Sequence, residues 1–363
     1  MAGKQKRKKK NRVRQRDWHT DADRHFSHEL KKHRRSDTVL KETKSTVDLP
    51  TDFEPNGLVI SHSKKWAFVQ IDGQVEICRI HEGLGDRKST IVVAGDRVHV
   101  EEQGDELLVL GVASRRSKLS RLAIEHSHVN EQIFAANIDY LVIVVAAMKP
   151  AIKQGLIDRY LISAEVGDVK PILCVNKMDL VDEEPPLIQH YRDIDVPVIL
   201  TSCEENTGIS ELHNLLKDTW SVFAGHSGVG KSTILNQISP DLDIETREVS
   251  LYNEKGRHTT TLSKLYRLDN GIHIVDTPGI RQLGLWNVSF EEVGFYFPEI
   301  ASHGEQCKFR DCTHIHEPNC AVIEALESGL LGQPRYDSYL RIREDLEESA
   351  AEVFGRKKKP PVE

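Results

Sequence analysis

The chain has 363 residues, of which 39% are hydrophobic and 29% charged, and its formal net charge is −7. This composition is typical of a globular protein with two or three domains. No run of about 18 apolar residues occurs, which excludes a transmembrane helix, and the basic N-terminus lacks the apolar segment of a secretory signal. We therefore expect a cytoplasmic protein that does not bind membranes.

The first 35 residues are strongly basic, with fourteen Lys or Arg against four acidic residues. They carry +10, which leaves −17 on the rest of the chain, since the whole chain is −7. A basic arm on an acidic body predicts a nucleic-acid partner, while the alternative is a solvated tail without a fixed partner. We interpret residues 1–50 as a largely disordered basic tail and residues 355–363, "GRKKKPPVE", as a second basic tail.

Residues 51–121 contain short alternating apolar segments that are broken by turn sequences such as Asp72-Gly73. Short strands at this spacing predict a small β-barrel, and an oligonucleotide-binding (OB-like) barrel fits its size. A purely structural barrel explains the pattern nearly as well. At its end lies a basic cluster made of Arg115, Arg116, Lys118 and Arg121. The cluster is predicted to contact phosphates, and a solvated charged surface is the alternative.

In residues 122–295, strand-like and helix-like segments alternate, beginning with the apolar run "YLVIVVAA" at 140–147. Such a run is typical of a strand that is covered on both faces of a parallel sheet. The alternation predicts an α/β domain with a mostly parallel, doubly wound sheet. Residues 296–354 follow as a segment that contains three cysteines and is otherwise helical in pattern.

The stretch "GHSGVGKST" matches the phosphate-loop pattern G-x-x-x-x-G-K-[ST]. In this pattern the glycines let backbone N–H groups face the phosphates, the lysine reaches the outer phosphates and the serine hydroxyl binds Mg²⁺. A strand-like segment precedes the motif and a helix-like segment follows it, as the pattern requires. The predicted nucleotide contacts are Gly225, His226, Ser227, Gly228, Val229, Gly230, Lys231, Ser232 and Thr233, with Lys231 also catalytic.

A later strand-like segment ends at Asp276 and continues into Thr277-Pro278-Gly279. An aspartate at a strand end beside a phosphate loop can hold Mg²⁺, and Gly279 leaves room for the γ-phosphate. Between the two motifs lies "GRHTTT" at residues 256–261, where we expect a mobile switch segment. One of its three threonines, with Thr260 as the working candidate, is expected to bind Mg²⁺ and sense the γ-phosphate.

The tetrapeptide "NKMD" follows the strand-like segment "PILCV". A carboxylate can accept two hydrogen bonds from N1–H and N2–H₂ of guanine, whereas adenine lacks this pair of donors. Asn176, Lys177, Met178 and Asp179 therefore predict GTP as the nucleotide, and Ser202 in "TSCEENTG" is a candidate contact in a loop that supports the base. This guanine box precedes the phosphate loop, the reverse of an ordinary GTPase, so we infer a circularly permuted domain.

The segment "CKFRDCTHIHEPNC" gathers Cys307, Cys312, His314 and Cys320. Three thiolates and one imidazole form a closed tetrahedral set for one structural Zn²⁺. Unbridged thiols are the alternative, and His316 is a rival ligand. The other cysteines are scattered along the chain, which indicates a reducing compartment.

The order of "EQIFAANIDYLVIVVAA", "NKMDL", "GHSGVGKST", "GRHTTT", "DTPGIRQLGL" and the cysteine cluster resembles the ribosome small-subunit-dependent GTPase A family (RsgA, also called YjeQ). The resemblance covers about residues 57–354. It implies an N-terminal oligonucleotide-binding barrel, a permuted GTPase domain and a C-terminal zinc domain with His314 as the fourth ligand. It also implies a factor that acts late in maturation of the small ribosomal subunit and whose GTP hydrolysis is stimulated by that subunit. We expect a monomer that binds the small subunit and its rRNA.

Ile280 follows the Asp-Thr-Pro-Gly motif, where many GTPases have a glutamine that positions water. A hydrophobic side chain cannot orient water, so we expect slow basal hydrolysis, with His258 as the candidate catalytic group, as the resemblance also suggests. A solvated loop residue and an rRNA contact are the alternatives for His258. The alternative function is an RNA-binding or chaperone module in which nucleotide binding is structural. The intact Lys231, Ser232 and Asp276 argue against it.

Overall fold

A computed structural model of the chain describes residues 53–63, 65–84, 92–125, 128–239, 263–268, 271–276 and 284–353. The two basic tails and the predictions for His258, Thr260 and Gly279 lie outside these residues, and for Asp276 the description covers the backbone. Within the described ranges, no helix is both long enough and apolar enough to cross a membrane.

The first five strands form a closed barrel. They are β1 (Gly57–His62), β2 (Trp66–Ile71), β3 (Gln74–Ile80), β4 (Arg97–Gln103) and β5 (Glu106–Val112). Their order is β1-β2-β3-β5-β4, and β4 also pairs with β1, which closes the sheet on itself. Alternate residues such as Val59, Val69 and Val109 point into the barrel and are fully buried. The predicted N-terminal OB-like barrel is therefore confirmed.

Two further strands, β6 (Lys118–Glu125) and β7 (His128–Ala136), form a separate antiparallel pair that no sequence pattern predicted. The backbone N–H of Leu122 in β6 donates to the carbonyl of Gly284, at 2.9 Å. Strand β6 spans residues 121 and 122, where the barrel was predicted to end. That domain boundary stays a prediction.

The basic cluster that precedes this hairpin is largely balanced by acidic side chains. Three of its four cations form ion pairs: Arg115 with Asp96, Arg116 with Asp139 and Lys118 with Glu131. Asp96 is fully buried, and its two carboxylate oxygens accept from the Arg115 guanidinium at 2.7 and 2.8 Å. The ion pairs tie the barrel to the segment that follows it, which does not favour the predicted phosphate contact.

The remaining six strands form the α/β domain. They are β8 (Tyr140–Ala146), β9 (Lys170–Asn176), β10 (Val198–Leu200), β11 (Trp220–Ala224), β12 (Lys264–Arg267) and β13 (His273–Asp276). Their order is β10-β9-β8-β11-β13-β12, and every neighbouring pair is parallel except β13 with β12. Strand β12 also pairs with β1 of the barrel. The predicted mostly parallel sheet is confirmed, and it continues into the barrel.

Among the described residues, four helices accompany this sheet: α1 (Gln154–Gly167), α2 (Gln189–Arg192), α3 (Ile209–Leu216) and α4 (Lys231–Ile238). Strand β8 is apolar throughout because both of its faces are buried. Leu141 and Ile143 pack into the core that contains α1, whereas Val142 and Val144 pack into the core that contains α3 and α4. Successive side chains of a strand point to opposite faces, so a strand between two helical layers must be apolar at every position.

The C-terminal part is helical, with α5 (Pro298–Gly304), α6 (Ala321–Glu327) and α7 (Gln333–Val353). These helices share a core that includes Val293, Phe297 and Val322. Ile162 of α1 belongs to the same core, so α1 contacts the sheet on one side and the C-terminal helices on the other. Short 3-10 helices span Glu82–Leu84, Met178–Leu180, Pro186–Ile188 and Val293–Tyr296.

Candidate nucleotide and metal sites

The phosphate loop connects the end of β11 to the start of α4. Gly225, Gly228 and Gly230 have φ angles of 144°, 83° and 95°, a region that favours glycine. A Cβ on Gly225 would lie 2.2 Å from the carbonyl oxygen of Val144 in the neighbouring strand. The loop therefore needs its glycines both for backbone conformation and for close packing on the sheet.

Lys231 lies across the phosphate loop. Its Nζ donates to the carbonyls of Gly225 and His226, at 2.9 Å in each case. Ser227, Ser232 and Thr233 are exposed around it, whereas Val229 is buried. The N-terminus of α4 directs backbone N–H groups and the positive end of the helix dipole toward the same place. This arrangement suits a polyphosphate.

Asn176 connects the guanine box to the phosphate loop. It is buried at the end of β9, and its Nδ2 donates to the Val229 carbonyl at 2.9 Å. The Thr201 hydroxyl donates to Asn176 Oδ1 at 3.1 Å, which orients the amide. Residues separated by 53 positions in the chain are thus joined by one side chain.

Gly230→Ala is expected to weaken GTP binding about tenfold to a hundredfold. The new Cβ would lie 2.3 Å from Asn176 Nδ2 and would break its bond to the loop, and an unpaired buried polar group costs about 1–3 kcal/mol. Gly228→Ala is the matched control, because Gly228 also has a positive φ but has open space at the Cβ position. Titration with a fluorescent GTP analogue measures both. Equal losses in the two variants would contradict the proposed role of this contact.

The remaining guanine-box residues lie beside the phosphate loop. Lys177 Nζ donates to the carbonyls of Lys149 and Gly228, at 2.7 Å each. Asp179 Oδ1 accepts from the Ser202 hydroxyl at 2.6 Å, so the structure brings the predicted supporting loop against the carboxylate. Met178 and Asp179 belong to the short 3-10 helix that follows β9. Strand β13, which ends at Asp276, runs parallel to β11 and adjacent to it.

Thr201 and Tyr160 contribute to the site but were not predicted from the sequence. Thr201 is fully buried and orients Asn176, and Tyr160 of α1 accepts a hydrogen bond from the backbone of Gly225. Burial raises the pKa of the Tyr160 hydroxyl to about 12. The position of Thr201 beside Ser202 was the available signal for the first residue. Tyr160 has no local signal, because it resembles any apolar residue of a core helix.

The four predicted zinc ligands converge in space. Cys307, Cys312, His314 and Cys320 place their ligand atoms within 4.8 Å of one another. Cys307 Sγ lies 3.8 Å from Cys320 Sγ, and His314 Nδ1 lies 3.6 and 3.4 Å from these two sulfur atoms. Ligands at about 2.3 Å (sulfur) and 2.0 Å (nitrogen) from a tetrahedral Zn²⁺ are separated by about 3.5–3.8 Å. The cluster therefore fits one zinc ion, and His316 is not part of it.

The loop around His314 is held from several sides. The Glu317 carboxylate accepts from the backbone N–H groups of Thr313 and Ile315, at 2.8 and 3.0 Å. Hydrogen bonds to Thr313 and to nearby backbone groups lower the pKa of Glu317, although burial opposes them. Burial lowers the pKa of His314, which favours the neutral imidazole that binds metals. Such outer contacts fix the orientation of metal ligands.

Comparison with known proteins decides the family. Residues 112–286 match the RsgA GTPase family. The small ribosomal subunit biogenesis GTPase RsgA 2 of Bacteroides thetaiotaomicron is 39% identical over 302 residues, which cover 80% of this chain and 97% of that protein. The small ribosomal subunit biogenesis GTPase RsgA of Chlorobaculum parvum is 40% identical over 271 residues, covering 72% and 87%.

The chain belongs to the RsgA GTPase family.

Two solved structures are similar to this chain in fold. YjeQ from Thermotoga maritima matches with a TM-score of 0.61 and 30% identity, over 84% of this chain and 99% of that one. YloQ, described as a circularly permuted GTPase, matches with a TM-score of 0.59 and 29% identity, over 85% and 98%. The predicted circular permutation is confirmed, and as a member of the RsgA family the chain is a GTP hydrolase that binds guanine nucleotide.

Proposed function

We propose that this GTPase assists the assembly of the small ribosomal subunit, that the subunit stimulates its hydrolysis of GTP, and that it acts as a monomer in the cytoplasm. The observation that carries the proposal is the hydrogen bond from Asn176 to Val229, which supports a GTP site built from motifs in permuted order. Relatives that share 39% and 40% identity with the chain are named small ribosomal subunit biogenesis GTPases, which supports the assembly role.

In the proposed site, Asp179 reads the guanine base and Ser202 holds its carboxylate. Asn176 and Lys177 join the base pocket to the phosphate loop, and Met178 is proposed to line the base pocket. The backbone of residues 225–230, with Thr233 at the start of α4, surrounds the phosphates, and Lys231 neutralises the charge that builds up on the leaving phosphate. Each role is assigned by the position of the residue and by the chemistry of its side chain.

Ser232 and Asp276 are the proposed Mg²⁺ ligands, since a hydroxyl and a carboxylate are the oxygen donors that this ion prefers. When bound, Mg²⁺ would neutralise negative charge on the phosphates. Thr260 and Gly279 are proposed to contact the same end of the nucleotide from the switch region. Strand β13, which ends at Asp276, runs parallel to β11, whose carboxyl end leads into the phosphate loop and Ser232.

We propose two surfaces for rRNA. The outer face of β2 and β3 exposes Trp66 and Ile77, and an exposed aromatic and apolar face suits the stacking of nucleotide bases. The tip of the metal loop exposes Phe309, whose ring centroid lies 5.4 Å from Lys308 Nζ. The domains are proposed as a barrel at 51–121, a GTPase domain at 122–295 and a zinc-binding helical domain at 296–354, flanked by the basic tails.

His258→Ala is expected to abolish subunit-stimulated turnover while GTP affinity stays nearly unchanged. Ile280 cannot orient the attacking water, so the imidazole of His258 is proposed to do so, and general acid–base groups contribute about 10²–10⁴-fold. Turnover at saturating small subunits measures the loss. His213→Ala is the control, because His213 is a histidine of α3 that belongs to none of the predicted nucleotide motifs. Unchanged stimulated turnover in His258→Ala would reject the role.

A further inference from the structure

A buried ionic network joins the GTPase domain to the C-terminal helices. Arg335 of α7 forms ion pairs with Asp158 of α1 and with Glu299 of α5. The side chains of Arg335 and Asp158 are only 4% and 1% exposed. The Tyr191 hydroxyl of α2 also donates to Asp158 Oδ1, at 3.0 Å. Side chains from four helices thus meet around the ion pair of Arg335 with Asp158.

The Arg335 guanidinium also packs on aromatic rings, with its Cζ 4.5 Å from the ring centroid of Phe297 and 5.6 Å from that of Tyr191. Burial raises the pKa of Asp158, and Arg335 opposes this rise by stabilising the carboxylate. A buried ion pair adds little net stability, because the loss of hydration offsets the attraction. It does impose one geometry on the elements that it joins, since any other geometry leaves a buried charge unpaired.

Helix α1 contacts the phosphate loop near the same place. The backbone of Gly225 hydrogen-bonds to the Tyr160 hydroxyl, and Tyr160 lies two residues after Asp158. Lys153, directly before the helix, has its Nζ 3.4 Å from His226 Nε2. A change in the phosphate loop therefore acts directly on the segment of α1 that Arg335 holds.

Helix α7 contacts the metal loop, which is defined as residues 307–320. The hydroxyls of Tyr336 and Tyr339 donate to the carbonyls of His314 and Thr313, at 2.6 and 2.7 Å. Tyr336 is the residue that follows Arg335. A movement of α7 relative to α1 therefore moves the backbone of a metal ligand.

Helix α5 adds a second connection from Arg335 to the metal loop. Glu299 pairs with Arg335 near the start of this helix, and Gly304 is its last residue. A Cβ on Gly304 would lie 3.3 Å from both Cε1 and Nε2 of the His314 ring. Both helices that Arg335 joins to α1 thus contact the histidine of the cluster.

We propose that Arg335 is a positioning residue that couples the nucleotide state of the phosphate loop to the position of the metal loop. This inference rests on the proposed function and adds a means of regulation to the same site. The contact path runs from Gly225 through α1 to Arg335, and from there through α7 to His314. Because coupling is reciprocal, a partner that binds the metal loop alters nucleotide affinity through the same contacts.

The test is hydrogen–deuterium exchange of the full-length, zinc-loaded protein with GDP and with a nonhydrolysable GTP analogue. In the unchanged protein, exchange in the metal loop and the first turns of α7 is expected to differ about fivefold or more between the nucleotides. In Arg335→Met the two nucleotides are expected to give the same exchange, with zinc content and GTP affinity within about twofold of the unchanged protein. A variant that loses the nucleotide-dependent exchange difference but still binds zinc and GTP has lost the positioning effect of Arg335, not its overall fold.

Arg159→Met is the matched control. Arg159 pairs with Asp345 between the same two helices, α1 and α7, but Asp345 is 58% exposed. Because exposed ion pairs contribute little, this variant is expected to keep the nucleotide-dependent difference. Arg335→Lys keeps the positive charge but lacks the planar guanidinium that pairs with both Asp158 and Glu299. We expect it to lose at least half of the exchange difference between the two nucleotides. It replaces Arg335→Met if that variant does not fold.

The inference would be overturned if Arg335→Met or Arg335→Lys showed the same exchange difference between the two nucleotides as the unchanged protein. It would also be overturned if the unchanged protein showed no such difference. The exchange experiment contains no ribosomal subunit, so its result is independent of the proposed assembly role. If small subunits fail to stimulate turnover while the exchange difference depends on Arg335, the assembly role fails and the coupling stands. If they stimulate turnover but the exchange difference is independent of Arg335, the coupling fails alone.

Discussion

His314→Ala is expected to remove the zinc ion, whereas His316→Ala is expected to retain it. The unchanged protein should contain about one zinc per chain, because the cluster of four ligand atoms is closed and tetrahedral in its spacing. Structural zinc contributes apparent binding free energies of about 10–16 kcal/mol, and this free energy stabilises the fold around it. Cys320, a ligand, lies within the core of the C-terminal helices, so His314→Ala should also destabilise residues 284–353.

Metal analysis of the purified variants and their thermal unfolding measure this effect. His316 is two residues from His314, is exposed and lies outside the cluster, so its variant controls for any loss caused by the substitution itself. Cys78→Ala is a second control, because Cys78 is a buried cysteine of the barrel and lies outside the cluster. Zinc retained in His314→Ala, or lost equally from His316→Ala, would contradict the assigned ligand set.

Asp179→Asn is expected to weaken GTP binding by about 10²–10⁴-fold. The substitution removes the acceptor of two guanine hydrogen bonds, and each bond to a charged group contributes about 1.5–3 kcal/mol. The amide can donate to the C2 carbonyl of xanthine, so affinity for XTP should rise as that for GTP falls. Competition between GTP and XTP for binding to the purified protein measures how far the preference shifts from GTP to XTP.

Asp182→Asn is the control for this substitution, because Asp182 is an exposed carboxylate three residues further along the chain. Ser202→Ala provides an intermediate case. It removes the 2.6 Å hydrogen bond to Asp179 Oδ1 but leaves the carboxylate in place. We expect it to weaken the free energy of GTP binding by about 1–2 kcal/mol. GTP preference that survives in Asp179→Asn would show that another residue reads the base.

The nucleotide motifs could be predicted from the sequence because each of them is local. The glycines, lysine and serine of the phosphate loop lie within nine residues, and the strand before them and the helix after them are recognisable by pattern. The metal ligands also lie within fourteen residues. Permutation does not hide such motifs, since a parallel sheet brings the ends of its strands together regardless of the order of the chain.

The contacts that join the domains were not predictable in this way. Asp158 and Arg335 are 177 residues apart, and each resembles an ordinary charge on an amphipathic helix. The basic cluster at residues 115–121 was interpreted by charge alone, although its partners Asp96 and Glu131 lie 19 and 13 residues away from the cations they bind. The hairpin of β6 and β7 was missed because the cluster obscured its alternation. Such pairings depend on tertiary structure.

The proposed function is tested most directly by the turnover of GTP with and without purified small ribosomal subunits. Basal turnover is expected to be slow, and subunits are expected to raise it by about 10³-fold, the lower end of what an added charge-stabilising or water-positioning group contributes in GTPases. The stimulation should fall as salt rises, because contacts to rRNA phosphates release counterions. Turnover that is the same with and without subunits would contradict the proposed function.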